Sequence, residues 1–136
     1  MTLEQLLDIA RERGIEIDNF PMRELRAVSF RNGWIAMDRR KFSDEIEYKC
    51  ALAHEIGHCE TQSFYNIHSY MSLWEINERQ ANRWAVERLV PICKLRKAIY
   101  SGILLPKLLA KMFDVTEKTI ETALELYESQ LCRRRY

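Results

Sequence analysis

Ser43-Asp44-Glu45-Ile46-Glu47-Tyr48-Lys49-Cys50-Ala51-Leu52-Ala53-His54-Glu55-Ile56-Gly57-His58-Cys59 is the stretch around which the rest of the chain must be arranged. Ser43 is a good N-cap, and the spacing that follows predicts a helix from about Asp44 to Cys59. Ile46, Cys50, Ala53, His54, Gly57 and His58 fall on one face of it, the face expected to point inward. His54 and His58 are four apart, so they lie one turn apart on the same side. Two histidines so placed can hold one metal ion from one direction. Glu55, about 100° around the axis, can flank that ion without ligating it.

Upstream, Thr2 and Gln5 fit the capping box in its glutamine form, ahead of Leu3, Leu6, Leu7 and Ala10 at helical spacing, with Gly14 as the stop. Ile15-Glu16-Ile17 alternates as a short strand does, and Asn19 to Pro21 reads as a loop. Ala27 to Phe30 precedes Arg31-Asn32-Gly33 and Trp34 to Met37 follows; Asn-Gly is the strongest short hairpin signal, since both residues tolerate positive φ. A small, mostly antiparallel sheet is therefore expected, followed by a charged connection, Asp38 to Lys41.

Downstream, Glu60 to Asn66 reads as a crossing loop, and Ser72-x-x-Glu75 is a second capping box. Trp74, Glu78, Ala81, Asn82, Ala85 and Leu89 share a face of the helix it opens, a face apolar except for Glu78 and Asn82. Pro91 ends that helix or begins the next. A short basic helix follows, Ile92 to Ser101, closed by Gly102. Another runs from Pro106 to about Phe113, and a last one, capped by Thr116, to about Leu131. A helix, a small sheet and then helices only make an α+β pattern, mainly helical. It is expected to form a single domain over residues 1–136, with a sheet and site part (1–91) and a helical part (92–136).

Composition narrows the class. A chain of 136 residues, 47% hydrophobic and 30% charged, is globular and long enough for a real core. A net charge of +1 argues against a global polyanion-binding surface. No apolar run approaches the roughly 18 residues of a membrane span, and no secretory signal opens the chain. Cys50, Cys59, Cys93 and Cys132 are scattered without a C-x-x-C pair, which fits free thiols in a reducing cytoplasm.

The H-E-x-x-H pattern sets a general base beside a metal, as zinc proteases do. Zinc needs a third protein ligand and an open position. The longer H-E-x-x-H-x-x-G-x-x-H pattern is absent, since Thr61 and Phe64 stand at its later positions. Glu78 is the best candidate on its apolar face, because a buried carboxylate is costly unless paired or metal-bound. Asn82, one turn on, can support a ligand histidine. Glu75, Glu87 and His68 are alternatives for the third ligand, and Cys50 with His54 and His58 could instead make a structural site, which leaves Glu55 without a purpose. Tyr65, His68 and Tyr70 lie in the connection and could donate to a developing oxyanion.

Lys49 to His58 resembles the active-site helix of the ImmA/IrrE family of metallopeptidases, and Asn77 to Ala85 with Leu89-Val90-Pro91 is similar to that family's E-x-x-A-N-x-F-A signature and its Pro close. The chain departs from the pattern at Cys50, Ala51 and Trp84, which touch packing and not chemistry. The resemblance implies one zinc ion held by His54, His58 and Glu78, with Glu55 catalytic. It also implies an endopeptidase whose substrate is a helix-turn-helix repressor of a phage, another mobile element or a stress response. A different class of function is a non-catalytic, metal-containing module that sequesters a repressor or toxin-type partner.

Leu108 to Ile120 resembles a helix-turn-helix. Its second helix carries Glu117, Glu121, Glu125 and Glu128, which suits phosphate poorly. A helical pair completing the core is favoured over direct nucleic-acid binding, and Arg133-Arg134-Arg135 reads as a solvated tail.

Overall fold

The structure, a computed structural model, describes residues 1–64 and 71–131, with the backbone alone at Met71 and Ser72. It is α+β: a first helix, a three-stranded sheet, then helices. Helix α1 (Leu3–Glu12) starts at the expected capping box, with Thr2 and Gln5 bonded to each other's backbone N–H. It closes through Gly14 at φ +71°, with Ile15 N–H donating back to the Ala10 carbonyl at 2.8 Å.

Strands β1 (Glu16–Asn19), β2 (Ala27–Ser29) and β3 (Trp34–Met37) form a sheet in the order β1-β3-β2. β2 and β3 pair antiparallel, as the hairpin implies, with Val28 opposite Ala36. β1 pairs parallel with β3, Ile17 opposite Ile35, so the sheet is mixed. β3 is the middle strand, and Ile35, Ala36 and Met37 are all buried in consequence. In the hairpin only Gly33 takes positive φ, at +87°. Its N–H donates to the Phe30 carbonyl, and Phe30 N–H donates to that of Trp34, so the connection is the three residues Arg31, Asn32 and Gly33, with the left-handed one third. The charged connection folds as a 3-10 turn (Arg39–Lys41) capped by Asp38. Asp38 is buried, accepts from Met22 N–H and from Arg40, and is held well below the usual carboxylate range chiefly by the Arg40 guanidinium.

Helix α2 (Glu45–Thr61) is capped by Asp44, whose carboxylate accepts from Glu47 N–H; Ser43, the expected cap, instead donates its hydroxyl to the Glu47 carboxylate at 2.7 Å. The helix runs two residues beyond Cys59 and stops where Gln62 turns left-handed at φ 53°. It is buried on more than the expected face. Ala53, Gly57 and His58 point inward as expected, but Tyr48, Lys49, Leu52 and Ile56 are buried too, while Ile46 is exposed. The reason is position: α2 packs against α1 and the sheet as well as against helix α3 (Met71–Leu89). Ser72 therefore lies inside α3 and not before it.

α2 and α3 approach closely at Gly57. A Cβ there would stand 2.6 Å from the Ala81 carbonyl oxygen, so only glycine allows the two backbones to meet. Helices α4 (Ile92–Tyr100), α5 (Pro106–Phe113) and α6 (Glu117–Leu126) follow, with Thr116 capping α6 through Thr119 N–H as expected. The last expected helix breaks at Tyr127 and resumes as α7 (Glu128–Leu131). Tyr127 is buried, its phenol pushed up to about 12 by that burial, and it donates to the Val90 carbonyl at 3.0 Å. α6 packs on α5 and on α3. Buried residues from Leu6 to Tyr127 join in one hydrophobic cluster. Cys50, Cys59 and Cys93 are free, and burial raises the Cys59 thiol to about 11. No helix among the described residues is long and apolar enough to cross a membrane.

Candidate metal centre

His54 and His58 project from the α2 face that α3 covers, and α3 delivers Glu78 and Asn82 to them. His54 Nε2 lies 2.8 Å from Glu78 Oε2 and His58 Nε2 lies 3.4 Å from Glu78 Oε1. The two Nε2 atoms are 3.1 Å apart, and the rings meet edge to face. Among the described residues this is the one group of three metal-ligating side chains whose ligand atoms converge, all within 4.8 Å of one another. Cys50 is half-buried one turn earlier and does not join it, and neither do Glu75 and Glu87.

The outer nitrogens show why the inner ones are available. His54 Nδ1 is 2.7 Å from Asn82 Oδ1, and His58 Nδ1 is 2.6 Å from the Ser63 carbonyl. Both partners accept, so each Nδ1 carries the proton and each Nε2 presents a lone pair. Two lone pairs 3.1 Å apart repel unless a cation lies between them. Two nitrogens bound tetrahedrally at the zinc–imidazole distance are separated by about 3.3 Å, so the donor set fits a metal ion of that kind. Electrostatics agree. Burial works against charge on His54, yet Glu78 and Glu55 hold its pKa above the ordinary histidine value. Burial likewise works against the Glu78 carboxylate, and the two imidazoles pull it well below the usual range regardless.

Sequence reasoning missed two contributors. Ser63 holds His58 in place through its backbone, and that contact is local: the helix ends at a left-handed Gln62, which turns the Ser63 carbonyl back toward the last turn. Because the contact is to a backbone carbonyl, residue type carries little signal for it; only a helix stop soon after the second histidine hints at it. Gly57 sets the distance between α2 and α3, which a glycine between the two histidines hints at without naming its partner, Ala81. Tyr65, His68 and Tyr70 lie outside the described residues, as do Cys132 and the basic tail.

Glu55 opens with His54, Glu78 and Asn82 on a cleft of about 850 Å³. α2 and α3 line it, half-exposed Trp74 included. The end of β2 contributes Ala27, beside Arg26, which pairs with Glu47 at 2.7 Å. α6, the second helix of the helix-turn-helix-like pair, lines the cleft as well.

The family described as IrrE N-terminal-like domain, peptidase M78, matches residues 26–125, from the residue before β2 to the last turn of α6. No curated protein and no solved structure matches the chain. A match over more than two-thirds of the sequence, with two histidines and a glutamate converging inside it, places this chain in the IrrE N-terminal-like (ImmA/IrrE) family of metallopeptidases.

Proposed function

We propose that the protein is a zinc-dependent endopeptidase in which His54, His58 and Glu78 hold one zinc ion, Asn82 orients His54, and Glu55 is the general base. The observation that carries this is the convergence of two Nε2 lone pairs and one carboxylate, with both Nδ1 atoms already bonded elsewhere. Zinc supplies Lewis acidity to a carbonyl and to water. Glu55, beside His54 and facing the same cleft, takes a proton from the attacking water and delivers it to the leaving amine. The cleft volume, about 850 Å³, is large enough for a short peptide segment. The substrate is a cytoplasmic helix-turn-helix repressor of a mobile element or stress response, a choice supported by the family resemblance alone.

Glu55→Gln tests the mechanism. The variant keeps its zinc and loses cleavage of a candidate repressor, followed by gel and mass spectrometry. If Glu55→Gln relieves repression as fully as wild type, the protein works by sequestering its partner and the peptidase assignment fails.

A further inference from the structure

Helix α6 was singled out by sequence as a candidate recognition helix, yet its Thr116–Leu126 span faces the metal cleft. Lys118, Thr122 and Glu125 stand at i, i+4 and i+7, one stripe along the cleft wall. Lys118 and Glu125 are seven residues apart, about 10.5 Å along the axis, which an extended peptide covers in about three residues. Thr122, between them, spends its hydroxyl on the Lys118 carbonyl at 2.9 Å. The Lys118 ammonium and the Glu125 carboxylate make no hydrogen bond or ion pair with the described residues.

Their placement also opposes helix stability. The positive end of a helix dipole disfavours a cation in the first turn and the negative end disfavours an anion in the last. Lys118 sits in the first turn of α6 and Glu125 in the last. The charges are therefore set against their own helix and toward the cleft.

We propose that α6 is the specificity wall of this cleft, with Lys118 and Glu125 binding an acidic and a basic side chain of one extended peptide about three residues apart. The inference rests on the peptidase reading for the position of the scissile bond, but its binding consequence can be read separately. α6 then selects by charge order along the peptide, while α2 and α3 hold the reacting centre.

The test is affinity selection of a random ten-residue peptide library on the full-length, zinc-loaded Glu55→Gln chain, with cleavage of the selected peptides followed on wild type in parallel. The expected set carries an acidic and a basic residue about three positions apart. Lys118→Glu and Glu125→Lys should each invert the charge selected at one of those positions and weaken the wild-type set by about tenfold. The double swap should select the reverse order. Both side chains are exposed and both swaps suit the helix dipole, so the variants should fold. An unchanged selected set in both variants, or no enriched set at all, overturns the proposal. Retained selection with no cleavage by wild type overturns the peptidase reading and leaves the charge wall standing.

Discussion

At the α2–α3 junction each histidine is held at both nitrogens, and the helices touch backbone to backbone at Gly57 and Ala81. In the same cleft, α6 offers Lys118 and Glu125, whose charged groups bond to nothing among the described residues. The difference separates two tasks. Ligand atoms must be positioned to a few tenths of an ångström, which needs buried partners and rigid backbone. Side chains that sort substrates need only charge and reach, and solvent keeps them adaptable. Disturbing the first region should thus change metal binding and stability together, and disturbing the second should change neither.

The largest effect is expected from Glu78→Ala, which removes one of the three converging side chains. Zinc affinity, measured by competition with a chromophoric chelator, should fall by more than the roughly 10–100-fold typical of a supporting residue. Undiminished zinc would show that another side chain is the third ligand.

Gly57→Ala comes next. In an ordinary helix interior this change stabilises by about 0.5–1 kcal/mol. Here the added Cβ meets the Ala81 carbonyl at 2.6 Å, so the sign should reverse. A loss of about 2 kcal/mol, or about 6–8 °C in Tm for a chain of this length, should come with weakened zinc binding. A raised Tm would mean that the helices part freely.

Asn82→Ala should weaken zinc about 10–100-fold. Ser63→Ala should do much less, because His58 relies on the Ser63 backbone carbonyl and the hydroxyl is the longer contact, 3.2 Å against 2.6 Å. Equal losses would contradict the split between the two anchors.

A smaller effect is expected from pH on the metal-free chain. The raised pKa of His54 adds stability that is complete below about 6.5 and fades as pH rises through the folded value. The lowered pKa of Glu78 adds stability that is complete above about 4.3 and fades as pH falls. Thermal melts should therefore show this pair's contribution between about pH 4.3 and 6.5. Because zinc needs neutral imidazoles, the Tm gain on adding zinc should grow from pH 5.5 to 7.5. A gain independent of pH would separate the histidines from the metal. Least of all, Lys118→Glu and Glu125→Lys should leave Tm within about 2 °C of wild type or slightly above it.

Much of this arrangement was legible in the chain. The Thr2 and Thr116 caps, the hairpin strands and the helices of the second half follow from residue type and period, which act over a few neighbours. The misses share a cause. The parallel β1–β3 pairing joins residues 18 apart and has no local signature. The burial of Tyr48, Lys49, Leu52 and Ile56 reflects a helix covered from two sides, which a single amphipathic face does not reveal. The break at Tyr127 goes with a bond from its hydroxyl to Val90, 37 residues away.

His54, Glu55 and His58 stand in their mutual relation by helical period alone, which any folded form of that stretch preserves. Sequence also marked Glu78 and Asn82 as polar intruders on an apolar face. That Glu78 meets both Nε2 atoms, and not Glu75 or Glu87, was decided only when Gly57 let α3 settle against α2. Only the fold, likewise, turned α6 toward the cleft. A local period orders neighbours on one helix, whereas contacts between helices depend on how closely two backbones can approach.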